Sequence, residues 1–398
     1  MKTSFVMKFC ERVHSELHLR LNEKKLGKCA KMKMPIENID RHKQVVNILD
    51  SGDFPEECFM CENAEQQGIR SWRDQGNEVH TKNKIFKIEI TLDNTCNLAC
   101  GYCYGNLSSV WEAEAKNAPD EYKHLSSLEA EPNNATLQQS LDYIYRALRQ
   151  AAERAKDVDR VELILLGGEP FFNDLFKNNH LTPLVDEYFK LTTDHKTSFL
   201  LNVFTNCNTP KNMIDKYVQE INSLKEKYKH TNLYFQLSVS NESIGQTSEA
   251  IRYGSDWNNF KSNLNKFFQS SVDRIQFHLT VNSLGITKLK NYLEYIHQMK
   301  LDFPNKSVGV QLSQIYEPMA FSISVLDESF VKYLIEAQEF SNSIKLTFDG
   351  LSFEELIASV GKNQDKKYLL KEYVDYYKKV RKVDLALIEP DVYNYVVE

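Results

Sequence analysis

The sequence predicts an α/β chain: an open, partial (β/α)6 barrel of TIM type, preceded by a small N-terminal cysteine module and followed by a helical C-terminal region. Three observations lead there. Six strand signals alternate with helical patterns after about residue 80, and such alternation argues for parallel strands joined by right-handed crossovers. Six units fall short of the eight that close a full barrel. A chain of 398 residues, 42% hydrophobic and 26% charged, can also bury one large core and still carry a smaller module. The expected division is 1–80, 81–325 and 326–398.

The run Met1 to Cys10 is basic but lacks the apolar segment of a signal peptide. No stretch reaches the roughly 18 apolar residues of a membrane span. The net charge of −6 and pI near 6.0 argue against a nucleic-acid partner, which calls for a basic footprint. A cytoplasmic protein is expected, bound to neither membrane nor nucleic acid. There, eight cysteines read as metal ligands or free thiols before disulfides. Four precede the barrel: Cys10, Cys29, and the CxxC pair Cys58 and Cys61. The alternation from His18 to Cys29, with Gly27, predicts a hairpin, which would bring two distant cysteines to one side of a metal. Four cysteines with one CxxC are also the donor set of a zinc ribbon.

The first barrel strand, Phe86–Leu92, leads into Asp93-Asn-Thr-Cys-Asn-Leu-Ala-Cys-Gly-Tyr-Cys-Tyr104. The spacing CxxxCxxC lets one short loop deliver three thiolates, from Cys96, Cys100 and Cys103. Iron–sulfur clusters are normally closed by four thiolates, so three predict a cluster with one iron open to a small molecule. A zinc site is the alternative, but zinc usually gathers four ligands, and no fourth Cys or His lies close in sequence. Tyr104 to about Asn134 is long and polar, with Pro119 and Pro132. It is expected to be an irregular excursion beside the cysteines, of the length that serves as a lid.

A helix is predicted over Leu137–Ala155. The second strand, Val161–Leu166, runs into Gly167-Gly-Glu-Pro170. The glycines permit close backbone approach or positive φ, Pro170 stops the strand, and Glu169 stands at its C-terminal tip. Strands follow at Phe199–Asn206, Leu233–Ser240, Arg274–Asn282 and Ser307–Ser313, with helices at Lys211–Tyr228 and Ile286–Met299. The later strands alternate: Ile275, Phe277, Leu279 and Val281 with Gln276, His278, Thr280 and Asn282, and Phe235, Leu237 and Val239 with Gln236, Ser238 and Ser240. Buried parallel strands usually read as continuous apolar runs. Here helices must cover the apolar face, placing the polar row in the lumen. A lumen of amides and hydroxyls is costly unless ligand or water satisfies it, so it is the expected reaction chamber. Cys207 reads as a small buried side chain. From about Ser341 the chain is helix-like, clearest in the amphipathic stretch Lys366–Val380. The sequence leaves open whether it packs on its own body or docks a partner.

The cysteine loop, GGEP, the Thr205-Asn206 strand end, Ser238-Val-Ser240 and Ile251-Arg-Tyr-Gly-Ser-Asp-Trp257 together resemble the radical S-adenosylmethionine (SAM) superfamily over most of the chain. In that superfamily the open iron of a 4Fe-4S cluster chelates the amino and carboxylate groups of SAM. The resemblance implies that Cys96, Cys100 and Cys103 hold this cluster and that Tyr102 lies near the adenine. It assigns Gly167, Gly168 and Glu169, ahead of Pro170, to the methionyl amino group, Asn206, Ser238 and Ser240 to ribose or carboxylate contacts, and Arg252 to the carboxylate.

With that motif present, Cys10, Cys29, Cys58 and Cys61 resemble the auxiliary-cluster module called twitch, the half-length relative of SPASM, which holds a second 4Fe-4S cluster. The module usually follows the barrel; here it precedes it, as in a subgroup of twitch-domain radical SAM proteins. Phe54–Glu62 and Gly68-Ile-Arg-Ser-Trp-Arg73 resemble that subgroup's lead-in.

The activity implied is reductive cleavage of SAM to a 5′-deoxyadenosyl radical that removes hydrogen from a polar substrate. An external flavodoxin- or ferredoxin-type donor supplies the electron. With the auxiliary cluster as acceptor the outcome is a net oxidation, and His278, Tyr316 and Glu317 are the candidates for taking the accompanying proton. The substrate is expected to be a small polar metabolite or a peptide. The alternatives are a maturase that epimerises or crosslinks a ribosomal peptide, and a non-catalytic zinc-binding scaffold.

Overall fold

The computed structural model describes residues 10–27, 29, 32–38, 41–66, 68, 71, 73, 84–126, 135–173, 181–192 and 196–398. The chain is mixed α/β with mostly parallel strands. It forms two compact units, Met1–Asn94 with Pro132–Val203 and Glu220–Phe235, and Thr95–Glu131 with Phe204–Gln219 and Gln236–Glu398. Among the described residues no helix is long and apolar enough to cross a membrane.

In the first unit the hairpin forms. β1 (Glu16–Arg20) and β2 (Lys25–Gly27) pair antiparallel, and β2 pairs with the two-residue β3 (Met34–Pro35). A side chain at Gly27 would collide with the Met32 carbonyl, so only glycine fits this return. β1 also runs parallel to β4 (Ile85–Thr91), which is followed by β5 (Arg160–Leu166) and β6 (Ser198–Thr205). Register sets Leu17, Ile88, Leu163 and Leu201 in one apolar row, all at 0% exposure. The helix Leu137–Arg154 opens with a capping box between Thr136 and Gln139, and buries Ile144, Ala147, Leu148 and Ala151 at helical spacing.

The opposite face of β1 and β4 carries buried charge. His18 lies 2.8 Å by Nε2 from Glu16 and 3.2 Å by Nδ1 from Glu89. Burial pulls the His18 pKa down, but the two carboxylates outweigh it and hold it above its ordinary value. Burial raises Glu89, yet His18 and Lys87 bring it down to about 2. The three side chains form an ion cluster that joins hairpin to sheet.

In the second unit β7 (Leu233–Ser240), β8 (Arg274–Val281), β9 (Ser307–Gln314) and β10 (Thr347–Gly350) are parallel neighbours. Their register aligns Val239, Phe277, Val310 and Phe348 on one face and Ser240, His278, Gln311 and Asp349 on the other. The alternation seen in sequence is thus a sheet with one apolar and one polar face.

Two expectations are corrected here. The C-terminal region is not purely helical, because β10 interrupts it. Gly350 takes a positive φ of 89° at that strand's end. The segment after Tyr104 is not irregular. Ser108 accepts from Trp111 N and caps the helix Ser109–Asn117, whose Trp111 and Ala115 are buried one turn apart. A 3-10 run, Asp120–Ser126, follows, and the end of the expected lid, including Pro132 and Asn134, lies outside the described residues. So do Ile69, Arg70 and Trp72 of the lead-in motif.

Candidate cluster-binding site

The cysteine loop of the second unit is held by backbone bonds on both flanks. Ala99 N donates to Tyr253 O at 2.9 Å and Gly101 N to Ile251 O at 2.8 Å, so the loop pairs with the segment that carries Arg252. On the other side Ser108 Oγ donates to Leu98 O at 2.6 Å, Ser109 Oγ to Cys96 O at 3.2 Å, and Trp111 Nε1 to Cys103 O. Gly101 has no room for a side chain, since a Cβ would lie 2.5 Å from the Tyr377 hydroxyl and would strike Phe321.

An amide ladder fixes the loop's first half. Asn206 Nδ2 donates to Asn97 Oδ1 at 3.0 Å, Asn97 Nδ2 to Asn208 O at 3.1 Å, and Asp256 N to Asn208 Oδ1 at 2.9 Å. Asn206 is therefore a loop-positioning residue in this geometry. Cys207 between them adopts a φ of 54° and is fully buried, its carbonyl accepting from Asn263 Nδ2.

Cys96, Cys100 and Leu98 form one buried cluster against which Cys103 and Tyr102 pack. Burial pushes the Cys103 thiol far up, and charge on Cys100 and Cys96 adds to it. Burial likewise raises Cys100, opposed by the guanidiniums of Arg252 and Arg381. Three thiols this close and this desolvated cannot all stay ionised without a cation among them. The donor set thus suits a metal centre, and soft thiolates suit iron–sulfur or zinc. Among the described residues, no three His, Cys, Asp or Glu side chains are grouped so as to hold a single metal ion.

Beside the thiols lies a buried ion pair. Arg252 donates from Nε to Glu242 Oε2 at 2.8 Å and from Nη2 to Oε1 at 2.5 Å, while Nη1 reaches Cys100 Sγ at 3.8 Å. The Tyr102 hydroxyl donates to Glu242 at 2.6 Å and accepts from Arg252 at 2.7 Å. Sequence reasoning singled out Arg252 and Tyr102 and missed Glu242. The signal was present in Ser240-Asn-Glu-Ser243, a carboxylate just past the tip of β7, but its partner lies ten residues on. A cavity of about 300 Å³ opens against Cys103, walled also by Trp111, Glu317, Met319 and Tyr373.

The remaining predicted residues are placed as follows. In the first unit Gly167 and Gly168 take φ of 90° and 55°. A Cβ on Gly167 would lie 2.6 Å from Thr91 Cγ2 and 2.9 Å from Leu92 N, so the glycine lets β5 leave the sheet against β4. Glu169 is 1% exposed and caps the turn Pro170–Phe172, accepting from Phe171 N at 3.2 Å. In the second unit Ser238 is fully buried and Ser240 half-buried at the end of β7. His278 lies on the polar face of β8, 4.6 Å from the Phe204 ring, and burial lowers its pKa to about 4. Its imidazole is therefore neutral at physiological pH. Tyr316 is 64% exposed, and Glu317 is exposed with its carbonyl accepting from Tyr104. The three candidates for proton transfer are not brought together. Past the end of β9 Ile315 turns inward, which sends Tyr316 out.

The N-terminal quartet lies in the first unit. Cys10 and Cys29 are buried, and Cys58 and Cys61 are half-buried on the 3-10 turn Glu56–Cys58 and the helix Phe59–Gln66. The Cys10 thiol is pushed up to about 12 by burial and by Cys29 and Cys61. Cys58 is raised by burial and by Cys29, Cys10, Cys61 and Glu57. Cys58 thus sits within electrostatic reach of the other three thiols.

No protein-family profile matches the chain, and no curated protein does. Among solved structures the chain is similar to HydG, a maturase of the FeFe-hydrogenase, at 12% identity over 73% of this chain and 61% of that one, with a TM-score of 0.40. It is also similar to the FeFe-hydrogenase maturase HydG from Carboxydothermus hydrogenoformans, at 12% identity over 72% and 59% of the two chains and a TM-score of 0.37. The chain spans about three-fifths of the length of these maturases.

Proposed function

We propose that this chain is a radical SAM enzyme acting on a polar substrate, built on a partial (β/α)6 barrel with a twitch-like auxiliary 4Fe-4S module at its N-terminus. The observation that carries the reading is the CxxxCxxC loop, whose three thiols are packed together, desolvated, and faced by the buried Arg252. A bound cluster supplies the chemistry that the side chains lack, one-electron cleavage of SAM to a radical able to abstract hydrogen.

This chain's own residues bind, orient and shield. Arg252, locked by Glu242, keeps a positive charge 3.8 Å from Cys100 Sγ, which compensates an anionic thiolate centre. The amide ladder and the backbone bonds to residues 251–253 hold the loop that carries the thiols, the kind of support that a reactive site needs. The resemblance assigns Gly167, Gly168 and Glu169 to the methionyl amino group, and Tyr102, Asn206, Ser238 and Ser240 to the rest of SAM. The polar face of β7 to β10 offers hydrogen bonds to a polar substrate, and His278 stands on that face as the candidate for taking the accompanying proton, with burial working against its basicity. Cys10, Cys29, Cys58 and Cys61 would hold a second cluster, which would supply an electron acceptor for a net oxidation. An external one-electron donor is required.

The test is anaerobic reconstitution with iron and sulfide, followed by reduction with SAM present. Two four-iron clusters give about eight irons per chain, and methionine and 5′-deoxyadenosine are expected in equal amounts. Tightly bound zinc with no SAM cleavage would instead identify a zinc-bearing scaffold.

A further inference from the structure

The helix Lys367–Tyr376 runs on into a π-helical turn, Tyr377–Arg381. Such turns are rare and concentrate at functional sites. This one delivers Arg381 into an aromatic cage behind the cysteine loop. The guanidinium is 4.6 Å from the Tyr253 ring, 4.7 Å from Trp111, 4.8 Å from Tyr377 and 5.4 Å from Tyr376. The residue is 4% exposed. Its Nε donates to Glu114 at 2.7 Å, its Nη1 donates to the Tyr377 hydroxyl at 3.0 Å, and its Nη2 is buried with no hydrogen-bond acceptor.

Three cage members also grip the loop. Tyr377 fills the space at Gly101, Trp111 bonds to Cys103 O, and Tyr253 O accepts from Ala99 N. A buried cation is costly to desolvate, and among the described residues the carboxylate paired with this one is Glu114. It pairs from the Nε side, while Nη1 meets the tyrosine that abuts the loop. A buried guanidinium held otherwise by one hydroxyl and by ring faces is a costly way to brace a helix, and an effective way to place positive charge near an anionic centre.

Taking the loop as cluster-bearing, we infer that Arg381 is a positioning residue that braces the cysteine loop from the C-terminal segment and makes its cluster easier to reduce. Net charge around an iron–sulfur centre sets its potential, and Arg381 is a second cation beside Arg252.

The experiment is a potentiometric titration of full-length, anaerobically reconstituted protein followed by electron paramagnetic resonance, with iron counted on every sample. The variant carrying alanine at Cys96, Cys100 and Cys103 identifies which signal belongs to the loop. Arg381→Gln is expected to keep its iron and to lower the reduced-to-oxidised ratio of the loop cluster at fixed potential by roughly three- to tenfold, tenfold being about 59 mV for one electron. Arg381→Lys, which keeps the charge, should titrate close to wild type. Glu114→Gln, which removes the counter-charge, should move the ratio the other way. Unchanged titration in Arg381→Gln, or shifts of the same sign in Arg381→Gln and Glu114→Gln, would reduce Arg381 to a structural brace and overturn the proposal. Should Arg381→Gln not fold, Glu114→Gln decides it: a higher reduced-to-oxidised ratio than wild type supports the proposal, and an unchanged or lower one overturns it. If the alanine variant keeps all the iron of wild type, the loop carries no cluster and the underlying functional reading is what falls.

Discussion

The cysteine loop and the N-terminal quartet use the same donor atom in different surroundings. Cys100 feels the positive charge of Arg252 and Arg381, and its loop is pinned by amides, hydroxyls and an aromatic cage. The charges acting on Cys58 are those of the other three thiols and of Glu57, and both members of its CxxC pair are half-buried on a short turn and helix. Four thiolates can close a cluster by themselves, whereas three leave a vertex that needs a ligand and a protein frame to define it. The contrast is one of charge: guanidiniums act on a thiol of the loop, whereas thiols and a carboxylate act on Cys58 in the quartet.

The largest effect that could break this comparison comes from replacing Cys96, Cys100 and Cys103 by alanine. Iron should fall by about half, four atoms of about eight, and release of 5′-deoxyadenosine should disappear into background in a reductant-driven assay. Replacing Cys58 and Cys61 by alanine should also remove about half the iron. Here 5′-deoxyadenosine release persists while oxidised product is lost, as read by mass spectrometry of the reaction. If both variants lost SAM cleavage equally, the distinction between the two sites would be wrong.

Glu242→Gln sharpens the comparison at the loop. It strips the buried Arg252 of its counter-ion, with side chains 8% and 2% exposed, and removing one partner of such a pair costs about 3–5 kcal/mol. Denaturant unfolding measures that loss, and Glu242→Gln should in addition weaken iron retention by the loop.

The smallest effect lies in the quartet's own unit, at the Glu16–His18–Glu89 cluster. Glu89, lowered from 4.5 to about 2, contributes stability that is complete above pH 4.5 and drains away as pH falls toward 2. His18, raised from 6.5, contributes stability that is complete below pH 6.5 and is lost as pH rises through its folded value. The destabilisation of His18→Gln, of order 2 kcal/mol, should therefore be greatest between about pH 4.5 and 6.5 and shrink on either side. A pH-independent difference would mean the three groups are not coupled.

Much of this was legible from sequence because it is local. The six strands from β4 to β9 were marked by alternation or apolar runs, and they end within two residues of expectation. The hairpin was announced by Gly27. Cysteine spacing pointed to the two groups of cysteines that the fold brings near one another. What stayed hidden depends on distant partners. β10 is four residues long and contains Asp349 and Gly350, poor strand formers, and it exists because β9 offers a parallel edge. Glu242 and Arg381 look like ordinary surface charges until Arg252 and Glu114, the latter 267 residues before Arg381, are folded against them. The helix at Ser109 was misjudged because prolines and polar residues around it outweighed the short stripe Trp111 and Ala115. Where the C-terminal amphipathic stretch packs was open in sequence; it buries Leu370, Tyr373 and Tyr376 in its own unit, with Tyr373 4.9 Å from Phe321.

The central claim is that the loop's cluster binds SAM at an open iron, and electron paramagnetic resonance of the one-electron-reduced protein with and without SAM tests it most directly. The account predicts that SAM shifts the g-values of a cluster signal in wild type and in the Cys58/Cys61→Ala protein, and that this signal is absent from the Cys96/Cys100/Cys103→Ala protein. A spectrum indifferent to SAM, or a SAM-responsive signal that survives loss of the loop cysteines, would contradict it.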